Sequence, residues 1–577
     1  MPVILRAMFI KVTQSGCRRY AQLVESYRNE DGKPRQRTIC TLGRLEAGGD
    51  VDTLIASLQR ARGLAPGTST LDGLRFKEGR HAGDVWALSE LWRSLGFDEL
   101  ASVWRRCKTE IDVLTCLRLM VFNRLCDPAS KLGVLRWLQT VALPVGFDLS
   151  PAHQDLLRAM DVLDEHSEQL STKLALLMRP LIDQDLSVVF YDLTTVEVTG
   201  QTDLAGDVRA YGRAKSGLVE RQFMLSLVQT AEGLPIAHEV HPGNTAEAKT
   251  LLPMIRELLA RYPLKRVVLI ADRGLLSVGN IEELGKLQDR LKADGRDVAL
   301  EYILAVPAAR YGDFAEDLRQ LHDAQPSDQS WCAQTQWQDR RLVVAHDPEV
   351  ASRRTQARDK VIAELVQMGQ QCSVTLDEQD ESKRQGKKGR KGRPMSDSGT
   401  KARFYHAVKD AHLAHVIKVD LKAELFSYTI DEDKKRYLEL LDGKLLLVTN
   451  TGAPADEVVQ RYKSLADIER GFKVLKSDIE IGPVYHRLPK RIRSHALVCF
   501  MALILYRVMR MRLKAAKRSE SPSTLLEQLR RIFQQTVQTA DGQTITGLTD
   551  INPVQKSLFA ALELTPPTPS DLAKPAL

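Results

Sequence analysis

The chain has no Cys-x-x-Cys pair and no His/Cys cluster at zinc-ligand spacing, which excludes a structural zinc module. Its 8 cysteines are scattered along 577 residues. That pattern fits free thiols in a reducing cytosol better than a disulfide framework. Long apolar runs are also missing. The longest, Ala496–Tyr506, is interrupted by Arg507 and covers about half a membrane span, so it predicts a buried helix. The apolar start, MPVILRAMFIKV, is too short for a signal peptide and has no cleavage pattern. These absences predict a soluble, cytoplasmic protein. Neither sign of charge dominates: 82 Lys and Arg face 74 Asp and Glu, a net of +8. That small excess favours an acidic partner such as nucleic acid without deciding the matter. Hydrophobic residues at 43% and charged residues at 27% are ordinary for globular protein. The length calls for several domains.

Residues 1–80 read as a basic β-module. Met8–Val12, Tyr20–Tyr27 and Pro34–Leu42 are strand-like, with a turn at Asn29–Gly32. Arg18, Arg19, Arg28, Lys33, Arg35 and Arg37 make it basic, suited to DNA or to a solvated sheet face. Residues 81–180 are a helical domain, DNA-binding or a spacer, with apolar periodicity over Val85–Leu95, Ile111–Leu125, Leu132–Leu138 and Gln169–Asp183.

Residues 181–306 change rhythm. Val188–Tyr191 is a β-branched and aromatic run ending on Asp192. Arg221–Thr230 and Leu234–His241 form a hairpin around Glu232-Gly233. A helix capped by Thr245, with Glu247 in its first turn, is expected to run to Arg261. Val267–Ala271 ends on Asp272, Ile281–Leu291 is helical, and Leu300–Val306 is a fifth strand. Strand, hairpin, helix, strand, helix, strand is the order of an RNase H-like α/β sheet whose first and fourth strands are neighbours. Asp192 and Asp272 then stand at C-terminal strand ends in one crevice, where α/β sheets place ligands. Residues 307–444 read as a mostly β insertion carrying a flexible basic loop, Lys383–Arg393. Residues 445–515 resume the core, and 516–577 hold one helix near Leu525–Gln534 and a disordered Pro-rich tail.

Asp456–Asp478 reads as one amphipathic helix. On a wheel of about 100° per residue, Tyr462, Glu469 and Lys476 share a stripe, being seven residues apart. Leu465, Ile468, Phe472, Leu475 and Ile479 form an apolar stripe beside it, and Lys463, Arg470 and Lys473 a basic flank. A carboxylate between a core and a basic wall suits a metal ligand facing a polyanion, and an ordinary helix with solvated charges fits the same pattern. Arg273 follows Asp272 and is placed to touch phosphate or orient that carboxylate. Arg491, Arg493 and His495 open a helix that continues into the apolar run. His238 and His241 read as surface polar residues, Arg213 and Lys215 as a loop beside the crevice, and Cys499 as core.

Asp192 at a strand, Asp272 after VVLIA, and Glu469 inside YKSLADIERGFKVLK resemble the DDE transposases of bacterial insertion sequences. The likeness is to the group with the signature Tyr-x2-Arg-x3-Glu-x6-Lys (YREK), in its branch with an N-terminal β-meander. Tyr462, Glu469 and Lys476 keep the family spacing, while Leu465 stands at the Arg position. Asp192-Leu-Thr194, Asp272-Arg273-Gly274, His241–Glu247 and Val484–His486 followed by Arg491–His495 add to it. The resemblance implies a DNA transposase that cuts transposon ends and joins 3′-hydroxyl ends to target DNA. It implies Asp192, Asp272 and Glu469 as catalytic ligands of two Mg²⁺ ions, with Mn²⁺ able to substitute. It further implies double-stranded DNA as partner, contacted by Tyr462 and Lys476. Arg273, Arg470, Lys473, Arg491 and Arg493 join them as basic candidates. A homodimer in the DNA complex and a bacterial, nucleoid-associated location follow from the same likeness. Two other readings remain: a transposase-derived DNA-binding protein without catalysis, and a haloacid-dehalogenase-like phosphatase using Asp192. The latter lacks its second acid, since Thr194 stands there.

Overall fold

The computed structural model describes residues 7–29, 32–45, 49–63, 74–105, 107, 110–147, 151–182, 187–200, 204, 206–213, 219–246, 249–271, 278–326, 328–337, 340–386, 395–464, 466–539 and 542–573. They form two compact units. One comprises residues 1–80, 533–550 and 576–577, and the other residues 81–532 and 551–575.

The first unit opens with the expected meander: β1 (Ala7–Ser15), β2 (Arg18–Arg28) and β3 (Pro34–Arg44), all antiparallel. Its cations lie on the exposed surface, and Arg37 is paired with Glu25 at 2.7 Å. Helix α1 (Asp50–Ala61) follows, then β4 (Arg75–His81). A strand pair from far down the chain, Phe533–Gln538 and Thr544–Leu548, joins β4 in a second three-stranded sheet. Gly79 on β4 lies so close to Gln535 that a Cβ would sit 3.0 Å from its amide.

The second unit starts with α2 (Gly83–Ser94), α3 (Val113–Cys126), α4 (Lys131–Leu138), α5 (His153–Glu165) and α6 (Ser167–Met178). Asp112 caps α3 and Ser130 caps α4 through their side chains. Helix α5 was not foreseen. Its buried Leu156, Ala159, Met160 and Leu163 nevertheless carry helical spacing. Residues 81–180, expected as a domain of their own, pack within the same unit as the sheet.

That sheet is built from β5 (Ser187–Glu197), β6 (Ala210–Arg213), β7 (Val219–Thr230), β8 (Pro235–Pro242), then α7 (Leu251–Arg261), β9 (Arg266–Ala271), α8 (Val278–Ala293) and β10 (Ala299–Ala305). β5 runs parallel to β9 and antiparallel to β7, so first and fourth predicted strands are neighbours. The antiparallel β5–β7–β8 arrangement is foreign to a dehalogenase-type phosphatase, which needs a parallel sheet around its nucleophile. The cap of α7 is Thr250, not Thr245, because Thr245 turns back onto Pro242 O. Glu247 lies outside the described residues.

The largest correction concerns residues 307–444. They are mostly helical: α9 (Ala315–Asp323), β11 (Trp331–Trp337), β12 (Arg340–His346), α10 (Pro348–Arg384, 37 residues), α11 (Asp397–Asp410), the short pair β13 (Ile417–Val419) and β14 (Tyr428–Ile430), and α12 (Glu432–Leu441). The physical signal was helical spacing. Ile362, Leu365, Gly369, Cys372 and Leu376 are the buried positions of α10, and the buried Phe404 and Val408 sit one turn apart on α11. β11 and β12 are no separate β-body. They extend the main sheet through β15 (Lys444–Thr449) onto β10, in the order β11-β12-β15-β10-β9-β5-β7-β6. Most of the basic run Lys383–Arg393 lies outside the described residues.

The chain then forms α13 (Ala455–Lys463), α14 (Ala466–Ser477), α15 (Pro489–Ala515) and α16 (Pro522–Arg530). β16 (Phe533–Gln538) and β17 (Thr544–Leu548) are the strands already placed beside β4, and α17 (Pro553–Ala561) follows. The tail expected to be disordered is tied down: Trp86 Nε1 donates to Thr565 O at 2.8 Å, and Val145 N to Asp571 O at 2.8 Å. No helix among the described residues is long and apolar enough to cross a membrane. The run Ala496–Tyr506 is the buried middle of α15.

Candidate active site

Asp192 belongs to β5. It was expected at the strand's end, yet β5 continues to Glu197. Among the described residues the β5–β9 register runs to Tyr191↔Ala271, and pairing to β7 continues through Asp192↔Leu227. Asp192 is half-buried and its Oδ1 accepts from Leu193 N at 2.7 Å. Asp272, the residue after Ala271, lies outside the described residues, as does Arg273.

Strand alternation assigns the faces. Phe190 packs with Val268, Ile270, Val458 and Val459, and Tyr462 lies against the same cluster, so this face carries α13. Tyr191 points the other way, its hydroxyl 2.5 Å from Thr250 Oγ1 at the start of α7. Asp192 therefore shares the face of Phe190 and α13. So does Thr194, whose Oγ1 is buried without a hydrogen-bond partner among the described residues. An orphan hydroxyl two residues from a carboxylate is a ready site for water or a phosphate oxygen.

Glu469 lies on α14, and its side chain, like those of Ile468 and Arg470, is not described. A Cβ on Gly471 would come within 2.8 Å of Gln229 Oε1 and 3.2 Å of Arg507 Nη2. Gln229 is the β7 partner of Phe190. Hence α14 crosses the sheet on the face of Asp192, two residues along β5 from it. Close approach at a single glycine sets that height, and both ends of the buried Gln229 amide are unpartnered among the described residues. At the far end, Arg124 of α3 donates to Ile479 O at 3.4 Å and Glu480 O at 3.0 Å, satisfying carbonyls just past the helix.

The single helix expected over Asp456–Asp478 is two. α13 ends at Lys463 with Ser464 as C-cap, and α14 starts at Ala466. The wheel that aligned Tyr462 with Glu469 therefore does not apply across the break. Glu469 and Lys476 still share a stripe of α14. Ser464-Leu-Ala-Asp467 has capping-box spacing, a helix-start signature inside the run. Leu465 lies outside the described residues. Phe472, Leu475 and Ile479 are buried as the apolar stripe requires, and Lys473 and Lys476 are exposed.

Arg491 and Arg493 have partners. Arg491 forks onto Asp161 at 2.8 and 2.8 Å, and Arg493 onto Asp164 at 2.8 and 3.2 Å, which fastens α15 to α5. Burial alone would raise the Asp161 carboxyl. The Arg491 hydrogen bonds and charge outweigh it and hold the group below its usual range. The histidines of β8 are not on the surface. His238 stacks on Phe500 of α15 at 4.3 Å, and burial pushes it down to about 3. His241 faces the opposite side, 2.9 Å from Ser226 Oγ, and burial lowers it too. Cys499 is core, as expected. Arg213 closes β6 and Lys215 lies outside the described residues.

Among the described residues no group of three or more His, Cys, Asp or Glu is placed to hold a metal. The described part of the acidic set, Asp192 beside an orphan hydroxyl and facing α14, has the hard-oxygen chemistry that a divalent cation requires. A family model for the transposase DDE domain matches residues 183–505, and one for the IS1634 family transposase N-terminal domain matches residues 10–67. No curated protein matches the chain.

Proposed function

The chain belongs to the DDE transposases of bacterial insertion sequences, and from that premise we propose that Asp192, Asp272 and Glu469 are its catalytic carboxylates. The observation that carries this reading is the Tyr191↔Ala271 register, with α14 seated on the same sheet face at Gly471. Asp192 lies on the face that α14 crosses, and Asp272 is the next residue in sequence after Ala271, the β9 partner of Tyr191. Bound there, two Mg²⁺ ions would supply activation of the attacking oxygen and neutralisation of the leaving one.

The chain's own residues do the placing. β5 fixes Asp192 in a strand held by β7 on the far side, so the carboxylate keeps its position when DNA enters. The Thr194 hydroxyl offers one hydrogen bond to a water or a phosphate oxygen. Lys473 and Lys476 offer exposed charge to the DNA backbone, with Tyr462, Arg470 and Arg273 as further contacts. Arg491 and Arg493 would have to abandon Asp161 and Asp164 to join them, so we assign them to holding α15. The reaction hydrolyses a phosphodiester to free a 3′-hydroxyl. That hydroxyl then displaces an oxygen at a target phosphodiester, in line with the leaving group. A homodimer pairing two transposon ends, acting on DNA in the bacterial cytoplasm, completes the reading.

The test is nicking of a duplex carrying the element's terminal repeats, with Mg²⁺. Asp192→Asn, Asp272→Asn and Glu469→Gln should each abolish nicking while end binding persists. A variant that nicks at near wild-type rate removes that residue from the site.

A further inference from the structure

A second site lies behind α14, within the same compact unit. A cavity of about 740 Å³ opens between the α3–α4 connection, the start of α5, and the loop joining α14 to α15. Its wall is strongly cationic. Arg124, Lys131, Arg487 and Arg491 line it together with His153, His486 and His495, and Glu480 is the one acidic residue among them. Glu480 is exposed, and Arg491 is already neutralised by Asp161.

Two of the lining side chains are almost wholly buried. Lys131 is 5% exposed and forms no ion pair among the described residues. His495 is likewise 5% exposed. Its Nε2 lies 2.9 Å from Ile481 O, and its Nδ1 is buried without a partner. The Nε of Arg124 is also orphaned, the rest of its guanidinium being spent on the carbonyls of Ala129, Ile479 and Glu480. A buried charge with nothing to neutralise it is costly, and so is an unpaired buried ring nitrogen. The cost of the Lys131 charge disappears when an anion with several acceptor oxygens enters. The effect on the titrating groups agrees: burial, then the Arg124 charge, push the Lys131 ammonium down to about 7. Burial, then Lys131, Arg491 and Arg124, push His486 down to about 3.

The first turns of α4 and α15 border the cavity, and both present the positive ends of their dipoles. Donors therefore arrive from several directions, which matches a tetrahedral oxyanion better than a planar carboxylate. Position selects its source. The wall segment 480–488 follows directly on α14, whose exposed Lys473 and Lys476 face is the one assigned to DNA. Arg487, exposed at the rim with no ion pair among the described residues, and Tyr485, 70% exposed, connect the two.

We propose that this cavity is a phosphate pocket that takes one backbone phosphate of the bound DNA through Lys131 and Arg487. The proposal rests on the transposase reading for its DNA, while its chemistry, a phosphate oxyanion, is set by the pocket.

The experiment measures binding of a terminal-repeat duplex by fluorescence anisotropy across a salt series, in EDTA, for the wild type, Lys131→Met and Arg487→Ala. Nicking by the wild type is measured separately, so that failure of the transposase reading is seen on its own. Each variant should reduce the slope of log K against log salt by about 0.9, the yield of one lost phosphate contact. Without DNA, Lys131→Met should melt no lower than the wild type, since it removes a charge that nothing neutralises. Wild-type slopes in both variants overturn the proposal. If Lys131→Met does not fold, Arg487→Ala at the exposed rim decides by the same criterion. A parallel arm melts the wild type and Lys131→Met in inorganic phosphate against chloride at matched ionic strength. Stabilisation of the wild type alone, with unchanged DNA slopes, would mean that the pocket serves a free phosphate compound, and it would overturn the DNA assignment.

Discussion

Helices α14 and α15 follow each other in the chain, and both carry several basic residues, yet they use charge in opposite ways. On α14 the apolar side is narrow, and Lys473 and Lys476 stand exposed beside the Asp192 face. On α15 nearly every side chain from Ile492 to Met509 is buried, and its leading arginines are bolted to Asp161 and Asp164. Sign alone does not distinguish a DNA contact from a structural rivet. The partner does: a bidentate fork onto a carboxylate fixes geometry and neutralises the guanidinium, whereas an exposed lysine such as Lys473 keeps its counterions to release.

The largest effect should come from lifting α14. Gly471→Ala places a methyl against the buried Gln229 amide, so the amide must turn aside or the helix must rise. Nicking should fall roughly 100-fold, since a shift near 1 Å suffices for such a loss, with a stability cost of about 1–3 kcal/mol. Adding Gln229→Ala, which empties the obstructing position, should restore part of the rate. Gly471→Ala with wild-type nicking would mean that α14 does not depend on this contact.

A smaller effect is expected on α15. Arg491→Ala should lower stability by about 1–3 kcal/mol, as for a lost charged hydrogen bond, and should leave the salt slope of DNA binding unchanged. The effect has a pH signature. Asp161 has a folded pKa below its unfolded value. The pair's stabilisation is therefore full above about pH 4 and is lost as pH falls through the folded value. Melting curves of the wild type and Arg491→Ala should converge in acid. Curves that stay parallel, or a flattened salt slope, would turn the rivet into a DNA contact.

The smallest effect should be Lys473→Ala, on the exposed face of α14. Its melting temperature should match the wild type, while its salt slope drops by about 0.9. Destabilisation without a change in slope would reverse the contrast between the two helices.

The core strands were legible because parallel, doubly covered strands read as continuous β-branched runs, and Val188–Tyr191 and Val267–Ala271 are of that kind. The neighbour relation of β5 and β9 followed from element order. The break at Ser464 was present as a capping-box spacing but was hidden by an apolar periodicity that happens to continue through it. The 37-residue α10 escaped because polar residues outnumber its thin buried stripe. The pairing of Arg491 and Arg493 with α5 could not be read at all, since the aspartates lie some 330 residues earlier and α5 itself had not been identified. Gly471 gave no signal either, because the side chain it makes room for belongs to a distant strand.

The second sheet of the first unit has a consequence for how the protein is made. β4 ends at His81, and its partner β16 starts at Phe533. During synthesis the ribosome must deliver everything between them before β4 gains a neighbour, which takes on the order of a minute at bacterial rates. Through that interval β4 is an open edge, and a chain that terminates early never closes it. A truncated copy of the gene would therefore yield a polypeptide with an unpaired strand near its start, a target for aggregation and proteolysis. Completion of the reading frame thus acts as quality control on the N-terminal unit.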